Sequence, residues 1–403
     1  MKLDLKKILK QIKPNTSQEK AVKKASSEFL KKISKSIKKE KANVVFGGSI
    51  AKGTWLADNH DIDVFVQFEN SIEISKKLEE ILKKSFNNVQ TVHGSRDYFH
   101  IEFLDFTFEI VPVVKIKTVY EAKNVTDASV FHIKWVLKHT NKKLRDETRL
   151  VKQFCKAAGV YGAETYIAGF SGYVVEVLTV YFGSFEKFVK GIPKLAKGVI
   201  IDPTKHKRNL DRNKISPIIL IDPVQGDRNA AAALSLDKLN KLKKVCQDYL
   251  KKPSLKFFEI KRKNIELIKK NFDIVLEIEP LEGKNDIVGT KVLKVFEHIC
   301  DKLDSNGFIF LEGDWEFGEP SYLWFNIKNN ELEKDYVHYG PPITALEFAE
   351  SFREKYKGMN IFISQGRLAV TLKKEFFKIG DYINHILKSE YITERVKSIK
   401  KIK

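Results

Sequence analysis

Apolar positions recur at helical spacing near the start of the chain. Val22, Ala25, Phe29, Ile33 and Ile37 form one stripe among lysines, the period of an amphipathic helix. A capping pattern from Thr16 to Glu19, just after Pro14, predicts its start, and the stripe runs out near Lys39. The period then shortens. Runs rich in Val, Ile and Phe predict strands at 43–46, 61–68, 98–103 and 107–114, with a helix at 72–86. This describes a small mixed sheet with helices on it, ending near residue 140. From Lys143 the pattern turns helical, with helices expected at 147–158, 171–181 and 236–250. After Pro253 and the run Lys261-Arg262-Lys263, a third pattern begins: a strand (272–278), a helix (289–303), two strands (308–312 and 322–327), a helix (345–356) and paired strands around Ile361 and Leu368. The order β-α-β-β-α-β is that of the ferredoxin-like, or RRM-like, split unit. The lysine-rich end, 397–403, is expected to fray. The expectation is a multidomain α/β (α+β) chain with a head at 1–140, a helical neck and central domain at 141–258, and a tail domain at 259–403.

The chemistry concentrates in the head. Gly47-Gly48-Ser49-Ile50-Ala51-Lys52-Gly53-Thr54 is a turn of small residues with a hydroxyl, and Asp61-Ile62-Asp63-Val64-Phe65-Val66 follows it. Side chains alternate across a strand, so Asp61 and Asp63 share one face while Ile62 and Val64 point to the other. Two carboxylates so close repel one another and lose hydration, and a divalent cation relieves both costs. The turn offers backbone N–H groups and the Ser49 hydroxyl to an anion. A phosphate cradle beside paired acids is what nucleotidyl transfer requires. A two-metal site needs a third carboxylate, and Glu109, alternating with Phe108 and Ile110, is the best candidate. Asp105 and Glu102 are weaker rivals near the preceding turn. Two Mg²⁺ ions are expected at Asp61, Asp63 and Glu109. Gly48 and Ser49 would bind phosphate oxygens, and Lys52 either adds charge there or faces solvent.

Composition narrows the partners. The 403 residues carry 72 Lys+Arg against 52 Asp+Glu, a formal charge of +20. Such an excess points to nucleic acid, with a general lysine bias as the alternative. The segment Lys205-His206-Lys207-Arg208-Asn209 reads as a loop, either solvated or touching phosphates. Cys155, Cys246 and Cys300 lack any CxxC spacing and read as reduced thiols, implying a reducing, cytoplasmic setting. The first residues contain no signal-peptide core, and no apolar run approaches membrane-spanning length.

The Gly-Ser, Gly-Thr and Asp-Ile-Asp series resembles the signature shared by DNA polymerase β-type nucleotidyltransferases, poly(A) polymerases and CCA-adding enzymes. Further segments resemble the archaeal, class I CCA-adding enzymes: Ser129-Val130-Phe131-His132-Ile133-Lys134-Trp135, Arg149-Leu150-Val151-Lys152, Val160-Tyr161-Gly162-Ala163-Glu164, Gly169-Phe170-Ser171-Gly172-Tyr173, Ile221-Asp222-Pro223-Val224 with Arg228-Asn229, and His338-Tyr339-Gly340-Pro341-Pro342. The resemblance covers nearly the whole chain in the family's order. It implies a polymerase β-type head that adds C, C and A to the 3′ end of tRNA from CTP and ATP, without a template. It also implies triphosphate contacts from His132, Lys152 and Tyr161, a ribose contact from Ser129, and reading of the base by Arg228. Glu109 stands where the family commonly has an aspartate. The neck and tail are expected to hold the acceptor stem and T arm of tRNA by shape and phosphate contacts. The oligomeric state is open, a homodimer being one option. The rival readings are a poly(A) polymerase or other terminal nucleotidyltransferase, and an RNA-binding module with an inactive head.

Overall fold

The computed structural model describes residues 4–70, 72–94, 96–205, 210, 216–261 and 263–403. Residues 206–209 of the basic segment and Arg262 of the basic run lie outside them. The chain divides into two compact units, 1–261 and 262–403.

In the first unit, the helix Thr16–Lys39 buries the predicted stripe, with Ala25, Phe29 and Ile33 fully enclosed. Its cap differs from the sequence expectation by one residue. Asn15 is the N-cap: its side chain accepts from the Gln18 N–H, and the Gln18 side chain accepts from the Asn15 N–H. The Asn-to-Gln pair closes this box because both side chains reach the free amides.

Five strands follow: β1 (Ala42–Phe46), β2 (Asp61–Phe68), β3 (Gln90–Val92), β4 (Tyr98–Phe103) and β5 (Phe106–Val114). They form one sheet in the order β1-β2-β5-β4-β3. β2 runs parallel to β5, and the other pairs are antiparallel. β4 turns into β5 through Leu104 and Asp105, both at positive φ, as a two-residue hairpin demands. The alternating apolar residues Ile62, Val64, Phe108 and Ile110 pack under the long helix, where Phe29 stacks on Phe108 at 4.4 Å. Their polar neighbours are left on the other face.

The helices Lys142–Ala157, Gly172–Phe182, Phe185–Gly191 and Leu236–Lys251 share a second core with Phe154, Phe185 and Phe188 fully buried. Two short parallel strands, β6 (Val199–Ile201) and β7 (Ile218–Leu220), join this core; the sequence pattern did not announce them. Cys155, Cys246 and Cys300 are unpaired thiols. Among the described residues no helix is long and apolar enough to cross a membrane.

The second unit contains β8 (Ile274–Pro280), β9 (Phe310–Glu316), β10 (Ser321–Ile327), β11 (Asp335–Pro342), β12 (Ile361–Ser364), β13 (Arg367–Lys373) and β14 (Val396–Lys401). The sheet β14-β8-β10-β9 is wholly antiparallel. The helices Asn285–Asn306 and Ile379–Ile386 pack on it through Val292, Val295, Ile299, Ile383 and Ile386. This is the ferredoxin-like arrangement. Its second helix and last strand are not the predicted ones, however. The predicted helix at 345–356 (Leu346–Lys355) belongs with a separate sheet, β11-β13-β12, inserted before the true second helix. The end of the chain is a strand, not a frayed tail. Val396 is buried, and Lys397 and Lys400 pair with Glu279 and Glu277 of β8 at 2.6 Å each. Carboxylates on the neighbouring strand pair the lysines that suggested fraying.

Candidate active site

The parallel register of β2 and β5 sets the acids. Asp63 lies opposite Glu109, and Asp61 lies opposite Thr107. Across β5 the rows continue into β4, where His100 faces Glu109 and Glu102 faces Thr107. Asp61, Asp63 and Glu109 therefore share the face left free by the core. His100 Nε2 stands 3.5 Å from Glu109 Oε2. Glu102 accepts a 2.7 Å hydrogen bond from Thr107 Oγ1, and Asp105 sits in the hairpin turn. Register thus places Glu109, ahead of its rivals, beside Asp63.

Burial and then Glu109 raise the pKa of Asp63 to about 6, against the partial relief of Lys52. Burial and Glu109 raise Asp61 as well. The turn presses closely on this face. Gly47 N–H donates to the Asp63 carbonyl at 2.8 Å. Gly48 has φ +59°, and a Cβ there would lie 1.6 Å from Asp63 Oδ2; only glycine fits. Gly48 opens the one-turn helix Gly48–Lys52, which carries Ser49, and Gly53 closes it in the left-handed conformation.

Lys52 does not face solvent. It is 8% exposed, and its Nζ donates to Glu176 Oε2 at 2.6 Å. Glu176, on the helix Gly172–Phe182, is fully buried. Its other oxygen accepts from Lys152 Nζ at 2.9 Å and Thr54 Oγ1 at 2.6 Å. Burial opposes ionisation of Glu176, yet Lys152 and Lys52 outweigh it and bring the pKa down to about 2. Gly159, at φ +65°, turns the chain after the Lys152 helix, and Tyr161 comes back toward Lys152. A Cβ at Gly172 would lie 2.8 Å from Tyr161 Oη and 3.9 Å from Lys152 Nζ.

Ser129 and His132 lie one turn apart on the helix Ser129–His139, hence on one face. His132 Nε2 is 3.1 Å from Asp222 Oδ2, and Arg228 Nη1 donates to the same oxygen at 2.6 Å. Arg228 does not begin a helix. It sits in a tight loop closed by Asp222 N–H donating to the Arg228 carbonyl at 3.0 Å. Tyr173 spans the two clusters: its ring lies 4.3 Å from His132, its hydroxyl donates to Asp222 Oδ1 at 3.0 Å, and Lys52 Nζ is 6.0 Å from its ring. A cavity of about 400 Å³ opens beside Arg228, lined by Tyr120, Asn124, Ala128 and Asp227 among others.

All the predicted residues fall in the first unit. The acids share one face, Lys152 and Tyr161 converge, and His132 and Arg228 share one oxygen of Asp222. Glu176 was missed, as were the hydrogen bonds of Asp222 and Tyr173, which lie in motifs noted only for their resemblance. A buried acid on an apolar helix is a signal that could have drawn attention to Glu176. Among the described residues no three His, Cys, Asp or Glu side chains already form a metal-holding group. The acid face nevertheless suits a cation: its oxygen donors are hard ligands, and burial and then the neighbouring Glu109 hold Asp63 toward its neutral form.

Family models place a nucleotidyltransferase domain at residues 27–132, the second domain of tRNA nucleotidyltransferase at 146–259 and the C-terminal domain of CCA-adding enzymes at 274–400. The chain is 35% identical to the CCA-adding enzyme of Nanoarchaeum equitans, over 83% of this chain and 84% of that one. It is 30% identical to that of Sulfurisphaera tokodaii (94% and 90% covered) and 30% identical to that of Methanocaldococcus jannaschii (95% and 90%). A solved structure of the RNA terminal uridylyl transferase Cid1 shares the fold over 64% of this chain and 97% of its own, at 13% identity and a TM-score of 0.51. Nucleotidyltransferases of this kind generally use divalent metals. The acid face, the glycine turn and the matched domains agree: the chain belongs to the CCA-adding enzymes, which are tRNA nucleotidyltransferases.

Proposed function

We propose that the acid face of the first sheet is where C, C and A are joined in turn to the 3′ end of tRNA, from CTP and ATP. The observation that carries this reading is the register that sets Asp63 against Glu109 beneath a glycine turn pressed onto Asp63. Two Mg²⁺ ions held by Asp61, Asp63 and Glu109 would ease ionisation of the attacking 3′-hydroxyl and stabilise the departing pyrophosphate. Gly48 and Ser49 offer an N–H and a hydroxyl to phosphate oxygens. Lys152, His132 and Tyr161 hold the triphosphate, while Lys52 adds positive charge between it and Asp63. Ser129 contacts the ribose. Arg228 reads the base: its two parallel donors suit the ring acceptors of C and A, whereas U and G present a ring N–H there. The basic surface binds the acceptor stem and T arm of tRNA through phosphates, and that binding weakens as salt rises.

The test is extension of a tRNA lacking its last three nucleotides, with each NTP alone and then CTP plus ATP. Two C and then one A, followed by a stop, supports the reading. Long A tails would assign the site to a poly(A) polymerase. No extension while tRNA still binds would leave an RNA-binding module.

A further inference from the structure

Asp222 is fully buried and receives five donors. Oδ2 takes His132 Nε2 at 3.1 Å and Arg228 Nη1 at 2.6 Å. Oδ1 takes Tyr173 Oη at 3.0 Å and the amides of Val224 and Gln225 at 2.9 and 3.4 Å. A carboxylate has about four lone-pair positions, so both oxygens are saturated. Burial opposes the charge on Asp222, and His132 and Arg228 beside it more than restore it. The two amides and Tyr173 fix the carboxylate to its own loop and to the helix Gly172–Phe182. Oδ2 is then a fixed point shared by two side chains 96 positions apart (228 − 132). An imidazole that donates through Nε2 also has its tautomer set, leaving Nδ1 as its other polar atom.

We propose that Asp222 is a positioning residue that couples His132 to Arg228, so that the fit of the base is felt at the triphosphate. This rests on the reading above, in which His132 holds the triphosphate and Arg228 the base. A base that draws Arg228 off Oδ2 removes one of the two donors that share this fixed oxygen, so the charge and bond that orient His132 change and the triphosphate contact changes with them. Tyr173 supports the same carboxylate and lies against the His132 ring, so it belongs to the linkage. A correct nucleotide satisfies both ends at once, and a wrong one loses more than its base contact.

The experiment is a double-mutant cycle on CTP incorporation into tRNA, using the full chain and tRNA ending before the first C. His132→Ala and Arg228→Ala are measured singly and together, each with intact Asp222 and with Asp222→Asn. With Asp222 intact, the double variant should lose about tenfold less in kcat/KM than the product of the single losses. With Asp222→Asn, the losses should multiply. Asp222→Asn alone should raise the KM for CTP about tenfold and lower the preference for CTP over UTP about tenfold, the size of one charge-assisted hydrogen bond. Tyr173→Phe, which keeps the charge and both Oδ2 partners, should show the same pattern at a few fold. It carries the test if Asp222→Asn does not fold. Multiplying losses with Asp222 intact overturn the coupling while the nucleotide contacts stand. So does a fall in activity that only follows the folded fraction, with CTP preference unchanged. If His132→Ala and Arg228→Ala each leave KM and CTP preference untouched, the underlying nucleotide reading fails and the coupling fails with it.

Discussion

Asp63, half-buried on the sheet face, and Glu176, fully buried on a helix, are both acids of the first unit, and their protons behave in opposite ways. Burial and Glu109 lift Asp63 to about 6. Burial also opposes the charge on Glu176, yet Lys152 and Lys52 carry it down to about 2. The sheet face leaves its carboxylates short of positive charge. In the helical cluster two lysines, Lys52 and Lys152, more than neutralise the single Glu176. A carboxylate in deficit is poised for an external cation, whereas one that is fully paired holds other groups in place. Burial alone therefore does not mark a chemical group; the sign of its surroundings does.

Removal of the paired acid should have the largest effect. Glu176→Ala strands two buried ammonium groups, and breaking such a pair costs about 3–5 kcal/mol. Urea unfolding should show the loss, and an unchanged midpoint would mean the ammonium groups find water or another partner. The same acid has a pH signature. Its folded pKa lies below the ordinary 4.5, so its contribution is complete above pH 4.5 and disappears as pH falls from 4.5 toward 2. The contribution is on the order of 3 kcal/mol. Glu176→Gln should flatten that part of the stability curve, and parallel curves for the two proteins would contradict the assignment.

Gly48→Ala tests the other side. The added methyl must displace Asp63 or the turn, and displacement by about 1 Å at a reacting centre costs on the order of a hundredfold in rate. Activity at the parental level would show that the turn does not set the position of Asp63. The sharpest distinction is between two glutamates on one sheet face. Glu109→Gln should reduce incorporation by about tenfold or more, one charge-assisted contact being worth that much. Glu102→Gln, an exposed surface change, should leave the rate within about twofold. Equal effects would return the third acid to an open choice.

Much of the acid face was legible because strand periodicity is local. Asp61 and Asp63 sit two residues apart among core side chains, and Glu109 alternates with Phe108 and Ile110. The pairing of Asp63 with Glu109 was not local, since it depends on a parallel register. The buried clusters were hidden for the same reason. Lys52 meets Glu176 across 124 positions, and His132 meets Asp222 across 90. A lysine beside a glycine turn looks exposed until its distant acid is known. In the second unit the β-α-β-β-α-β order was readable, but the inserted sheet has equally good strand and helix patterns, which drew the second helix and last strand to the wrong segments. The lysines of β14 hid a strand whose acidic neighbours lie on β8.

Nucleotidyl transfer at the three acids is the core of the proposed function. Single-turnover addition of the first C to tRNA should therefore be compared between the parent protein and Asp63→Asn, with tRNA affinity measured alongside. Unchanged tRNA binding and at least about a thousandfold slower addition are expected, since cation-assisted charge stabilisation is worth several kcal/mol. Addition at the parental rate by Asp63→Asn would contradict the proposed function.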